Sequence, residues 1–91
     1  MHPTKIYSIL KDILSDITNR PRPEILAGMV LRAPPPGGLG FTDPGLRALA
    51  ARLNVEFAAR GHPISPPLVP SETQACVTVR DLFSLIRPRV T

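Results

Sequence analysis

Apolar positions along the chain fall into three runs with helical spacing and one shorter run. The clearest is Asp43 to Arg60, DPGLRALAARLNVEFAAR, where Leu46, Leu49, Leu53 and Phe57 recur every three or four residues and Ala50 fills the same face. Arg47, Arg52, Glu56 and Arg60 occupy the other faces. Asp43 is a suitable N-cap, because a carboxylate accepts from the unpaired N–H groups of a first turn, and Pro44 follows where a helix tolerates proline. Gly61 supplies the left-handed residue that ends such a helix, and Pro63 prevents its resumption. An equally periodic run, Ile6, Ile9, Leu10, Ile13, Leu14 and Ile17, predicts a first helix over residues 4–17 capped by Thr4. Asn19 and Arg20-Pro21-Arg22-Pro23 stop it, since proline lacks the N–H and pushes its predecessor out of helical geometry.

The remaining segments are shorter. Residues 24–32, EILAGMVLR, are apolar but interrupted by Gly28, which predicts a packed loop or single turn burying Ile25, Leu26, Met29 and Leu31. Ala33-Pro34-Pro35-Pro36-Gly37-Gly38-Leu39-Gly40 has turn chemistry without periodicity and reads as a spacer. It lacks the lysine and glycine spacing of a phosphate-cradling loop. After Gly61, Ile64, Leu68 and Val69 punctuate a second proline-rich connection as core plugs. Ser71 and Gln74 form a capping box for a short helix over 71–76, and Thr78 with Asp81 caps a last one over 78–87, with Leu82, Phe83, Leu85 and Ile86 inward and Pro88 at its end. No segment reads as a strand. The expectation is a single all-α domain over residues 1–91: three main helices, one short helix and long proline-rich loops.

Composition changes this picture in two ways. Twelve prolines and an aromatic content of 4% mean that much of the chain is loop. Eleven basic against seven acidic residues give a net charge of +4, which suits an acidic protein partner, nucleic acid or an anionic surface. The arginines are scattered rather than massed on one element, so a basic solvated surface is the plainer reading. The single cysteine, Cys76, forms no internal disulfide and reads as a small buried hydrophobe, consistent with a reducing compartment. No secretory signal and no membrane span are visible, and a cytoplasmic protein is expected.

Candidate chemistry is sparse. His2 and His62 have no second ligand at metal spacing, so no metal site is expected. Asp12 and Asp16 lie where helix-surface solvation explains them. No catalytic residue is assigned and the chain is not expected to be an enzyme.

The order of elements resembles that of the acyl carrier and peptidyl carrier proteins, from Ile6 to Ile86. Ile9-Leu10-Lys11-Asp12-Ile13-Leu14 is similar to that family's opening helix, and a long loop then leads to a central helix that begins after an aspartate. Val77-Thr78-Val79-Arg80-Asp81-Leu82-Phe83-Ser84-Leu85-Ile86 is similar to its fourth helix, with Thr-Val-x-Asp-Leu and an apolar pair. The resemblance implies an acyl-carrier-like bundle. It also implies a phosphopantetheine ester on a serine in Asp-Ser-Leu at the start of the central helix.

Here that region reads Thr42-Asp43-Pro44-Gly45-Leu46, with no serine between Ser15 and Ser65. The attachment region is therefore degenerate, and no cofactor is expected unless an atypical hydroxyl such as that of Thr42 serves. Family members present an acidic central helix, whereas this one carries Arg47, Arg52 and Arg60 against Glu56, which implies a partner with an acidic surface. The expected function is a carrier-like helical module without phosphopantetheine that acts through protein contacts of its central helix. Its alternatives are a genuine carrier with an atypical attachment residue and a small basic nucleic-acid binder. The proline-rich turn before the last two helices weighs against the last of these.

Overall fold

Four α-helices follow from these patterns in the computed structural model, which describes residues 2–35 and 37–90. They are α1 (Pro3–Thr18), α2 (Asp43–Ala59), α3 (Pro70–Ala75) and α4 (Val79–Ile86), with 3-10 turns at Arg22–Glu24 and Arg87–Arg89. Pro36, part of the triple proline read as a spacer, lies outside the described residues, as do Met1 and Thr91. The expected helix bounds hold to within about one residue, but three of the caps are different ones.

In α1 the cap is His2, whose Nδ1 accepts from the Thr4 N–H at 3.1 Å; Pro3 takes the first helical position and Thr4 is already inside the helix. In α2 the cap is Thr42, extended at φ −94° and ψ 171°, with Oγ1 accepting from the Gly45 N–H at 3.2 Å. Asp43 is the first helical residue instead, because its carboxylate is drawn to Arg32. In α3 the Ser71–Gln74 box does not form. The helix starts one residue earlier, at Pro70, and the Glu72 carboxylate accepts from the Val69 N–H at 3.1 Å. The Thr78–Asp81 box of α4 is present in both directions.

Both long helices end as their sequence requires. Asn19 adopts the left-handed conformation at φ 56° and closes α1 onto the Ser15 carbonyl. After α2, Gly61 at φ 83° lets its own N–H reach the Ala58 carbonyl and the His62 N–H reach that of Phe57. These two bonds are the paired closure that a left-handed glycine permits. Pro88 does not halt the chain after α4, which continues through the 3-10 turn to bury Val90.

The core joins the inward stripes of α1 and α2 to Leu82 and Ile86 of α4. α3 lies against α2 more extensively than any other two elements lie together. Thr73, the buried polar residue of α3, donates its hydroxyl toward the Leu46 carbonyl at 2.6 Å. Ile64 and Leu68 plug the core as expected, but Val69 is exposed, as is Leu26. The radius of gyration of 11.9 Å is close to the roughly 12 Å of an ordinary packed chain this long, so the prolines do not loosen it.

Much of the loop is tied down by backbone pairing. Val30 bridges Thr78 in antiparallel fashion and Gly38 in parallel fashion. The Leu31 N–H donates to Val77, the Val79 N–H to Met29, and the Leu39 and Phe41 N–H groups to Val30 and Leu31. The alternation of extended chain explains the burial: Met29 and Leu31 face inward and Val30 faces out. The glycine-rich segment is therefore a folded turn rather than a free spacer. Gly38 is indispensable to it, since a Cβ there would lie 2.3 Å from the Ala33 carbonyl oxygen.

Candidate functional site at the start of the central helix

Thr42, Asp43, Pro44 and Gly45 form an exposed to half-buried corner, while Leu46 is wholly buried beneath it. Three side chains hold the corner in place. Arg32 pairs with the Asp43 carboxylate and donates to the Gln74 carbonyl at 3.0 Å, Gln74 Nε2 donates to the Asp43 carbonyl at 3.3 Å, and Thr73 holds Leu46. From the sequence Gln74 reads as a capping residue of the short helix, and neither it nor Arg32 is assigned to this corner, because residues 31 and 42 apart reveal no pairing before the fold is known. Thr42 is an exposed residue, and its hydroxyl oxygen accepts the Gly45 N–H.

Beside the corner runs a groove of about 350 Å³ between the end of α1 and the start of α2. Ile17, Leu39, Phe41 and Leu49 give it apolar walls, and Thr18 and Arg52 add polar groups. It carries no cluster of titratable groups. Among the described residues no group of three His, Cys, Asp or Glu side chains could hold a metal ion.

The four residues expected to meet a partner do not act alike. Arg52 pairs with Asp16 of α1 at 2.7 Å and with Glu56 at 3.4 Å, and Arg60 pairs with the same Glu56 at 3.5 Å. Such exposed pairs add little stability, but they neutralise charge locally. Arg47 enters no ion pair among the described residues and is exposed. Below it, Ala51, Val55, Ala58 and Ala59 are also exposed, Val55 to 63%. The outer face of α2 is thus small and apolar with a single uncompensated cation near its start. The charge drawn from the sequence is correspondingly reduced from three arginines to one.

Perturbed ionisation lies elsewhere, in structural roles. The Glu72 carboxyl is held below its usual range by the hydrogen bonds from Arg89 and from the Val69 N–H. Asp81 is held low by the Val77 and Thr78 N–H groups. Cys76 is buried and its thiol pushed up to about 11, first by desolvation and then by the Asp81 and Glu72 carboxylates, so it is kept protonated and unreactive. No helix among the described residues is long and apolar enough to cross a membrane. Comparisons with protein-family models, with curated proteins and with solved structures find no match to this chain.

Proposed function

We propose that the chain is an acyl-carrier-like helical module that carries no phosphopantetheine and works by docking the outer face of α2 on an acidic protein surface. The observation that carries this reading is the start of α2. It is exposed as an attachment corner would be, yet it holds proline and glycine after the aspartate, and neither can be esterified. The face that continues from it supports contact rather than solvation, because Ala51, Val55, Ala58 and Ala59 expose apolar surface next to the unpaired Arg47. One acidic group opposite Arg47, with a shallow apolar surface around it, would complement this face. The buried, free Cys76 suits a reducing, cytoplasmic setting.

A photo-crosslinking residue at Ala51, introduced in the cells that make the protein, tests the reading. A discrete adduct at Ala51 that Arg47→Glu abolishes, with none from the same crosslinker at exposed Ser71 of α3, is the expected result. Equal labelling from both positions contradicts it. A second reading starts from Thr42, which is exposed: a genuine carrier with an atypical attachment residue would bear its prosthetic group on that hydroxyl, one residue before the aspartate.

A further inference from the structure

A second cleft, of about 400 Å³, opens on another side of the molecule, between the start of α1 and the outer side of α4. Its apolar wall is made by Pro3, Tyr7, Ala27 and Phe83. The two rings meet edge to face at 5.9 Å and 76°, which fixes the floor of the cleft without filling it. The only tyrosine of the chain and one of its three phenylalanines are thus spent on this surface.

The charged side chain that lines the cleft is a cation. Arg80 lines it and enters no ion pair among the described residues, although five other arginines do. Its chain neighbour Asp81 attracts it through space but forms no ion pair with it, and that carboxylate accepts from the Val77 and Thr78 N–H groups at 2.9 and 3.0 Å. The Lys11 ammonium sits 5.3 Å from the centre of the Tyr7 ring. The first turn of α1, beside Pro3 and Thr4, contains no acidic residue, and its Thr4 N–H is capped by the neutral acceptor His2 Nδ1. Thr4 and Ser84 add hydroxyls.

We infer that this cleft binds a small amphipathic monoanion, a carboxylate on a short hydrocarbon chain, with the carboxylate on Arg80 and the hydrocarbon against Tyr7 and Phe83. The reasoning is one of complementarity. An apolar pocket of a few hundred Å³ with few polar groups is the ordinary form of a small-molecule site. A guanidinium at its edge selects a planar anion that can accept two hydrogen bonds. An inorganic anion would leave the aromatic wall unused, and a neutral chain would leave Arg80 unpaired.

Titration of the 15N-labelled protein with sodium octanoate, followed by NMR, tests this, with 1-octanol and sodium phosphate as the separated halves of the ligand. Octanoate is expected to shift Tyr7, Ala27, Phe83 and Ser84 saturably while leaving Phe41 and Leu49 of the other groove in place. Both halves are expected to bind more weakly. Arg80→Gln, at an exposed position, is expected to weaken octanoate at least about tenfold, as for loss of a charge-assisted hydrogen bond. The inference is overturned if octanoate gives no saturable shift at these residues. It is equally overturned if octanol or phosphate binds as well, or if Arg80→Gln binds octanoate unchanged. None of these outcomes depends on what docks on α2.

Discussion

Asn54 holds Leu68 by both ends of its backbone. The Asn54 side-chain N–H donates to the Leu68 carbonyl, its Oδ1 accepts from the Leu68 N–H, and both distances are 2.9 Å. One carboxamide on α2 thereby replaces the partner strand that the proline-rich connection lacks, and Leu68 is held in the core. Asn54→Ala removes both bonds at a half-buried site and is expected to cost about 1–3 kcal/mol. Asn54→Asp is expected to cost more than its shape suggests, because the carboxylate keeps the Leu68 N–H but faces the Leu68 carbonyl without a proton to give. Chemical denaturation of the two variants measures this, and equal stability of Asn54→Asp and wild type would refute it.

Thr73 performs a similar task between α3 and α2. Its hydroxyl points to the Leu46 carbonyl at 2.6 Å and lies 3.0 Å from the Pro70 carbonyl. Thr73→Val preserves the volume but removes the donor, and is expected to destabilise by about 1–2 kcal/mol, whereas Thr73→Ser retains most of the bond. The comparison is read from urea midpoints at constant slope. A valine variant as stable as the serine variant would show that burial, not the hydrogen bond, decides this position.

Two adjacent glycines should behave in opposite ways. A methyl at Gly38 meets the Ala33 carbonyl oxygen and Cβ at 2.3 and 2.5 Å, and one at Gly37 meets nothing within 4 Å. Gly38→Ala is therefore expected to lose about 1–3 kcal/mol through overpacking and to free the Val30 pairing, with Gly37→Ala close to neutral. Hydrogen exchange of the Leu39 and Phe41 amides provides the local readout, and unchanged protection in Gly38→Ala would contradict the prediction.

Acid stability should track Glu72 and Asp81. Both carboxyls are lowered on folding, from ordinary values of 4.5 and 3.8, by hydrogen bonds that exist only in the folded chain. A lowered folded value means that the unfolded state binds protons first. The stabilisation is thus complete above about pH 5 and is lost as the pH falls through the ordinary values and toward the lowered ones. Thermal unfolding between pH 7 and 2 is expected to show a flat region and then a decline. Arg89→Gln, which removes the bidentate partner of Glu72, should shrink that decline. A decline of the same size in the variant would assign the acid sensitivity to other groups.

The sequence made the helices legible because their signals are local. The apolar stripes of α1 and α2, the glycine after α2 and the Thr78–Asp81 box all act within one or two turns. Caps were legible only where a single candidate stood next to the helix. Thr42 and Asp43 both suit the start of α2, and Arg32, far away in sequence, decides between them by pairing with Asp43. The pairing of Leu39 and Phe41 with Val30 and Leu31 is not legible in the sequence, because those partners are recognisable only after Val77 to Val79 pair with the same segment. For the candidate site, the missing serine was readable at once, whereas the neutralisation of Arg52 by Asp16 required the packing of α1 on α2.

The central claim, a carrier-like scaffold working without the prosthetic group, is tested most directly by the intact mass of the protein isolated from the cells that make it. The account predicts the mass of the bare chain, with no phosphopantetheine on any residue. A species heavier by one phosphopantetheine, located at Thr42 by fragmentation, would contradict it.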